Sequence, residues 1–95
     1  MTKTITILGS TGSIGRQTLE VVGELGLRVA ALTANTQVDL LEQQARQHMP
    51  RLAVLYDENA ALALKKRLRG TGIEVMAGEE GLLAAAAMTL SLIHI

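Results

Sequence analysis

Thr4-Ile5-Thr6-Ile7-Leu8-Gly9-Ser10-Thr11-Gly12-Ser13-Ile14-Gly15 is a short, β-branched, apolar run that passes directly into three glycines spaced G-x-x-G-x-x-G. Thr4 to Leu8 has the pattern of a strand covered on both faces, as in a parallel sheet. Downstream, Ile14, Thr18, Val21, Val22 and Leu25 recur at helical spacing before Gly26, which predicts a helix with those residues inward and a glycine stop. A glycine loop between a buried strand and a helix N-terminus is the setting in which a dinucleotide pyrophosphate is held. There Gly9 allows the tight turn, Gly12 lets backbone approach the phosphates, and Gly15 lets helix and strand pack closely. Ser10, Thr11 and Ser13 add hydroxyls expected at the same rim, as phosphate donors or as helix caps. A glycine-rich turn without a ligand is the bland alternative, and the flanking strand and helix argue against it. A Walker-type loop would end in Gly-Lys-Ser/Thr, whereas Gly15 is followed by Arg16 and Gln17.

The same alternation continues outward. A second strand is expected over Leu27 to Thr33, and Thr36 with Asp39 forms a capping box for a second helix. That helix presents Val38, Leu41 and Ala45 and is closed by Pro50, which disfavours helical geometry at Met49. Leu52 to Tyr56 predicts a third strand. Asp57 then caps a helix whose Ala61, Leu64 and Leu68 lie on one side, with Gly70 and Gly72 beyond it. Ile73 to Met76 predicts a fourth strand, and Glu79 to about Met88 an alanine-rich helix that is acidic at its start. Short links and strict alternation imply parallel strands with right-handed crossovers. The expected fold class is therefore α/β, a Rossmann-like doubly wound parallel sheet, incomplete, with about four β-α units.

Composition restricts the partners. With Tyr56 as the sole aromatic ring, neither base stacking nor an aromatic cage is available. A formal net charge of +0 removes the general attraction to nucleic acid or anionic membrane, leaving a small molecule as the expected ligand. The absence of Cys excludes disulfides and thiolate sites. Met1 to Thr4 leads straight into a strand pattern, so no secretory signal is expected and the cytoplasm is favoured.

An NAD site usually carries an acid at the end of its second strand to hold the ribose 2′-hydroxyl. The corresponding segment here, Leu32-Thr33-Ala34-Asn35-Thr36-Gln37, has none. Neutral donors there accept a 2′-phosphate without like-charge repulsion, so NADP(H) is preferred, although Asn35 and Thr36 as helix caps alone is an equal reading. The candidate cofactor-binding residues are Gly9, Thr11, Gly12, Ser13, Ile14, Gly15, Asn35, Thr36 and Gln37. His48 reads as a cation suited to the end of its helix. His94 has no neighbour to orient it, and Glu79 and Glu80 belong to a helix first turn. No catalytic or metal-ligating residue is assigned.

The wording of the loop, Ile7 to Gly15 followed by Thr18-Leu19-Glu20-Val21-Val22, resembles the N-terminus of the 1-deoxy-D-xylulose 5-phosphate reductoisomerase family. The resemblance continues through Val29 to Ala34, Leu41-Glu42-Gln43-Gln44, Pro50-Arg51, Asp57-Glu58 and Gly78 to Leu82. It implies an NADPH-dependent oxidoreductase and isomerase of non-mevalonate isoprenoid biosynthesis, which makes 2-C-methyl-D-erythritol 4-phosphate. It further implies a divalent metal, Mg or Mn, and a homodimer in the full-length enzyme. Thr11, Gly12, Ser13 and Ile14 match the family's pyrophosphate loop. Asn35, Thr36 and Gln37 match its second cofactor segment, where many members have Gly-Lys-Asn. The family's metal-holding acids and substrate ligands match nothing in this chain, so the chain alone is expected to be inactive. Residues 1–90 are expected to be a partial NADPH-binding domain and 91–95 a tail foreign to the family, ending a truncated frame. A free-standing nucleotide-binding module and the N-terminus of another NADP-dependent dehydrogenase or epimerase are the alternatives.

Overall fold

A computed structural model describes residues 4–88 and the backbone of 93–94. Strands and helices alternate as β1 (Thr4–Leu8), α1 (Ser13–Leu25), β2 (Arg28–Ala34), α2 (Val38–His48), β3 (Leu52–Leu55), α3 (Glu58–Arg67), β4 (Glu74–Ala77), α4 (Gly78–Ala87) and β5 (Ile93–His94). All pairings are parallel and the strand order is β4-β3-β2-β1-β5. The expected α/β doubly wound sheet is thus present, and the four expected β-α units are joined by a short fifth strand beside β1. The boundary expected at residue 91 lies outside the described residues.

Strand order explains the two layers. From β1 to β4 every crossover steps the same way, so right-handed connections put α1, α2 and α3 on one face. There Ile5, Ile7, Leu32, Leu55, Leu19, Val22, Leu41 and Leu64 form the main core. The connection to β5 steps back across the sheet, and α4 packs on the opposite face, where Ala85 meets Ala31, Leu52 and Val54. Gly81 permits this close seat: a Cβ there would stand 2.6 Å from Val54 Cγ1 and 3.1 Å from Met76 Cβ.

Two local expectations are corrected. On α1 the inward residues are Gly15, Leu19 and Val22, whereas Ile14 and Leu25 are 71% and 66% exposed and Val21 is exposed as well. The loop decides this rotation. Gly15 must face the β1 turn, which carries positions four and seven residues later inward with it. At α2 the capping box does not form: Gln37 is the N-cap, without a side-chain bond. Asp39 instead pairs with Arg67 at the end of α3, where Glu42 and Arg46 join the same exposed cluster. Asp57 does cap α3, its Oδ2 accepting from the Ala60 N–H at 2.8 Å. Helix α2 ends as expected before Pro50, with Met49 left-handed at φ 47°.

Candidate functional site

In a parallel sheet all strands end at one edge. Gly9 to Gly12, Asn35 to Gln37, Tyr56-Asp57 and Gly78 therefore gather on a single rim. The chain reverses its direction of travel across the sheet at β1, and the glycine loop stands at that reversal, where open α/β sheets present their ligand crevice.

Each glycine of the loop has a different physical reason. Gly9 sits at φ +76°, a conformation that side chains rarely adopt. At Gly15 a Cβ would lie 2.4 Å from the Gly9 carbonyl oxygen and 2.7 Å from Ser10 Cα, backbone atoms that cannot swing aside. Gly12 has neither constraint: it is exposed, its φ of −76° suits any residue, and a Cβ would make only a 3.5 Å contact. Among the described residues nothing requires glycine there, which fits close approach by a ligand.

Gly12 is also the N-cap of α1 and offers no side-chain cap. The Gly12 N–H donates to the Gly9 carbonyl at 3.1 Å and Arg16 N–H to the Gly12 carbonyl at 2.9 Å. The N–H groups of Ser13, Ile14 and Gly15 occupy the first turn, where a helix supplies no backbone partner. Unpaired donors at the positive end of the helix dipole favour an anion. Ser13 is exposed and does not cap the helix, contrary to one of its expected roles. Thr11 is half-buried beside it.

Ser10 is the larger correction, because it does not reach the rim. It is 0% exposed, its Oγ donates to Gln44 Oε1 at 2.7 Å, and Gln44 Nε2 donates back to the Ser10 carbonyl at 2.9 Å. The turn is held to β2 as well: Gly9 N–H donates to Thr33 Oγ1 at 3.0 Å and Ser10 N–H to the Thr33 carbonyl at 2.8 Å. Thr33 and Gln44 were not singled out from sequence. The available signals were a hydroxyl in an apolar strand and an amide at core spacing beside Leu41 and Ala45.

Asn35, Thr36 and Gln37 are exposed at the end of β2, beside the loop that Thr33 anchors. No acid stands among them, and the Asn35 carbonyl is engaged by the Asp57 N–H at 3.1 Å. The structure thus brings both candidate segments to one rim. His48 is remote from it. With Thr4, Arg28 and Arg51 it lines a cavity of 670 Å³ at the opposite edge of the sheet. Partial burial holds the His48 imidazole below its ordinary value, which favours the neutral ring rather than the cation expected at a helix end. His94 side-chain placement lies outside the described residues. Among the described residues no three His, Asp or Glu side chains come together as a metal site, and no helix is long and apolar enough to cross a membrane.

Comparison with known proteins agrees with this geometry. The sequence profile of 1-deoxy-D-xylulose 5-phosphate reductoisomerase matches residues 5–93. The reductoisomerase of Moorella thermoacetica is 56% identical over 90 residues, spanning 93% of this chain and 23% of the relative. That of Sinorhizobium fredii is 54% identical over 86 residues, 86% of this chain and 22% of the relative. This chain therefore spans about a quarter of the length of the relatives it matches. The reductoisomerase of Zymomonas mobilis, solved with NADPH, superposes with a TM-score of 0.87 at 38% identity, over 93% of this chain and 24% of that one. A reductoisomerase solved with NADPH, fosmidomycin and magnesium gives 0.85 at 28% identity, over 95% and 22%. One profile accounts for nearly every described residue, relatives share about half of the sequence, and solved relatives share the fold, so the chain belongs to the 1-deoxy-D-xylulose 5-phosphate reductoisomerase family.

Proposed function

We propose that this chain is the NADPH-holding front portion of an enzyme that rearranges and reduces 1-deoxy-D-xylulose 5-phosphate to 2-C-methyl-D-erythritol 4-phosphate. The observation that carries the reading is Gly12, a glycine without an internal reason at an uncapped helix N-terminus. Gly9, Thr11, Gly12, Ser13, Ile14 and Gly15 hold the pyrophosphate, the first-turn N–H groups donating to it. Asn35, Thr36 and Gln37 receive the adenosine ribose and its 2′-phosphate, the absence of an acid admitting the extra charge. NADPH supplies the hydride when bound, and this chain's residues orient it. The solved relatives that contain NADPH and magnesium support both groups for the whole enzyme. The metal's ligands belong to the part of the enzyme that this chain does not span. The full-length enzyme works in the cytoplasm as a homodimer on a small phosphosugar, with neither nucleic acid nor membrane as partner.

The test is an NMR titration of the 95-residue chain with NADPH and with NADH. NADPH is expected to shift the amides of residues 9–15 and 35–37, with weak affinity because the nicotinamide half of the site is missing. NADH is expected to act only at higher concentration. Equal response to both, or no response at millimolar NADPH, refutes the assignment.

A further inference from the structure

We propose that Gln44 is a positioning residue for the phosphate loop, acting from α2 through Ser10 to set how the α1 N-terminus meets the pyrophosphate. The inference rests on the loop being the pyrophosphate site, and goes beyond it in naming what holds the loop in shape. Gln44 is 7% exposed and Ser10 fully buried, and the two exchange a reciprocal pair of hydrogen bonds across 34 positions of sequence. The partners are matched in kind. The amide oxygen takes the hydroxyl proton, and the amide nitrogen satisfies the Ser10 carbonyl, a backbone group that neither strand nor helix pairs. Ser10 lies between Gly9, whose carbonyl receives the Gly12 N–H, and the exposed residues Gly12 to Ile14. A change at Ser10 therefore moves the donors directly, while Asn35 is held by the Asp57 N–H, and Thr36 and Gln37 by the Val38 and Leu41 N–H groups at the start of α2, two turns from Gln44.

This separation provides the test. NADP+ engages both the loop and the second segment, whereas adenosine 2′-phosphate lacks a pyrophosphate and engages the second segment alone. In the full 95-residue chain, Gln44→Glu reproduces both bonds while its carboxyl is protonated. The acid O–H then donates to the Ser10 carbonyl and the other oxygen accepts from Ser10 Oγ. Burial raises that carboxyl's pKa, and on ionisation the donor is lost and a negative oxygen faces the Ser10 carbonyl. NADP+ affinity of Gln44→Glu, taken relative to wild type at each pH, is expected to be within about twofold at about pH 5.5 and about tenfold weaker at about pH 8. Relative affinity for adenosine 2′-phosphate should stay level over the same range. Ser10→Ala, a milder change that removes one bond, should weaken NADP+ about fivefold and leave adenosine 2′-phosphate unchanged.

A pH-independent ratio for Gln44→Glu, or equal losses for both ligands in either variant, would show a purely structural role and overturn the proposal. If wild type itself shows no NADP+-induced shift at residues 9–15, the pyrophosphate reading fails and this inference falls with it. Wild-type binding with unaltered variants sinks the inference alone.

Discussion

At the scale of single residues, the glycine loop separates glycines that the fold requires from one that it does not. Gly15→Ala drives a Cβ into backbone at 2.4 Å and is expected to cost about 3 kcal/mol, read from urea denaturation. Gly12→Ala makes only an ordinary 3.5 Å contact, so stability should change by less than about 0.5 kcal/mol while the NADPH-induced shifts at residues 9–15 disappear. Reversal of that order would remove the distinction. Thr33→Val keeps the shape of a buried strand residue but strips the Gly9 N–H of its acceptor, an expected loss of about 1–3 kcal/mol by the same measurement. Spacing between a strand and a helix made the roles of Gly9 in the turn and Gly15 in close packing legible. It could not reveal Ser10 with Gln44. A glutamine in a helix ordinarily faces water, and its partner lies a whole β-α unit away.

At the scale of elements, strand and helix positions followed from local chemistry, as did the inward faces of α2 and α3, and the rotation of α1 did not. Asp57 and Pro50 act on their immediate neighbours, so a cap and a stop were readable. The rotation of α1 was misread because Ile14, Val21 and Leu25 form as convincing a helical stripe as Leu19 and Val22, and only the long-range demand at Gly15 chooses between them. Likewise Asp39 had a distant cation to satisfy, which competed with a local capping bond. The end of α2 carries a pH prediction. Partial burial lowers the His48 pKa in the folded state, so the unfolded chain binds the proton more tightly and acidification favours unfolding. That contribution is intact above the ordinary histidine range and is lost as pH falls through it. His48→Gln should therefore lose less stability than wild type between about pH 8 and about pH 5, comparing urea midpoints. Identical slopes for the two proteins would show that the ring is not sensed.

At the scale of the molecule, this chain spans about a quarter of the length of the relatives it matches, so turnover is a test for a longer chain. Fusing residues 1–90 to the remainder of the Moorella thermoacetica enzyme, in place of that enzyme's own front, is expected to give NADPH-dependent turnover of 1-deoxy-D-xylulose 5-phosphate. The same fusion carrying Gly12→Ala should lose most of it through a raised KM for NADPH. A folded but inactive fusion would count against interchangeability. The strand order has a consequence for synthesis as well. Because β2, β3 and β4 each pair with the strand made just before, the sheet can extend outward as the chain leaves the ribosome, each strand joining its immediate predecessor. Only the far side of β1 must wait, through three further β-α units, for β5 to arrive. The strand that leads into the glycine loop is thus made before the other four and gains its second neighbour after them, so on the proposed function a nascent chain should gain cofactor affinity late, long after its secondary structure is in place.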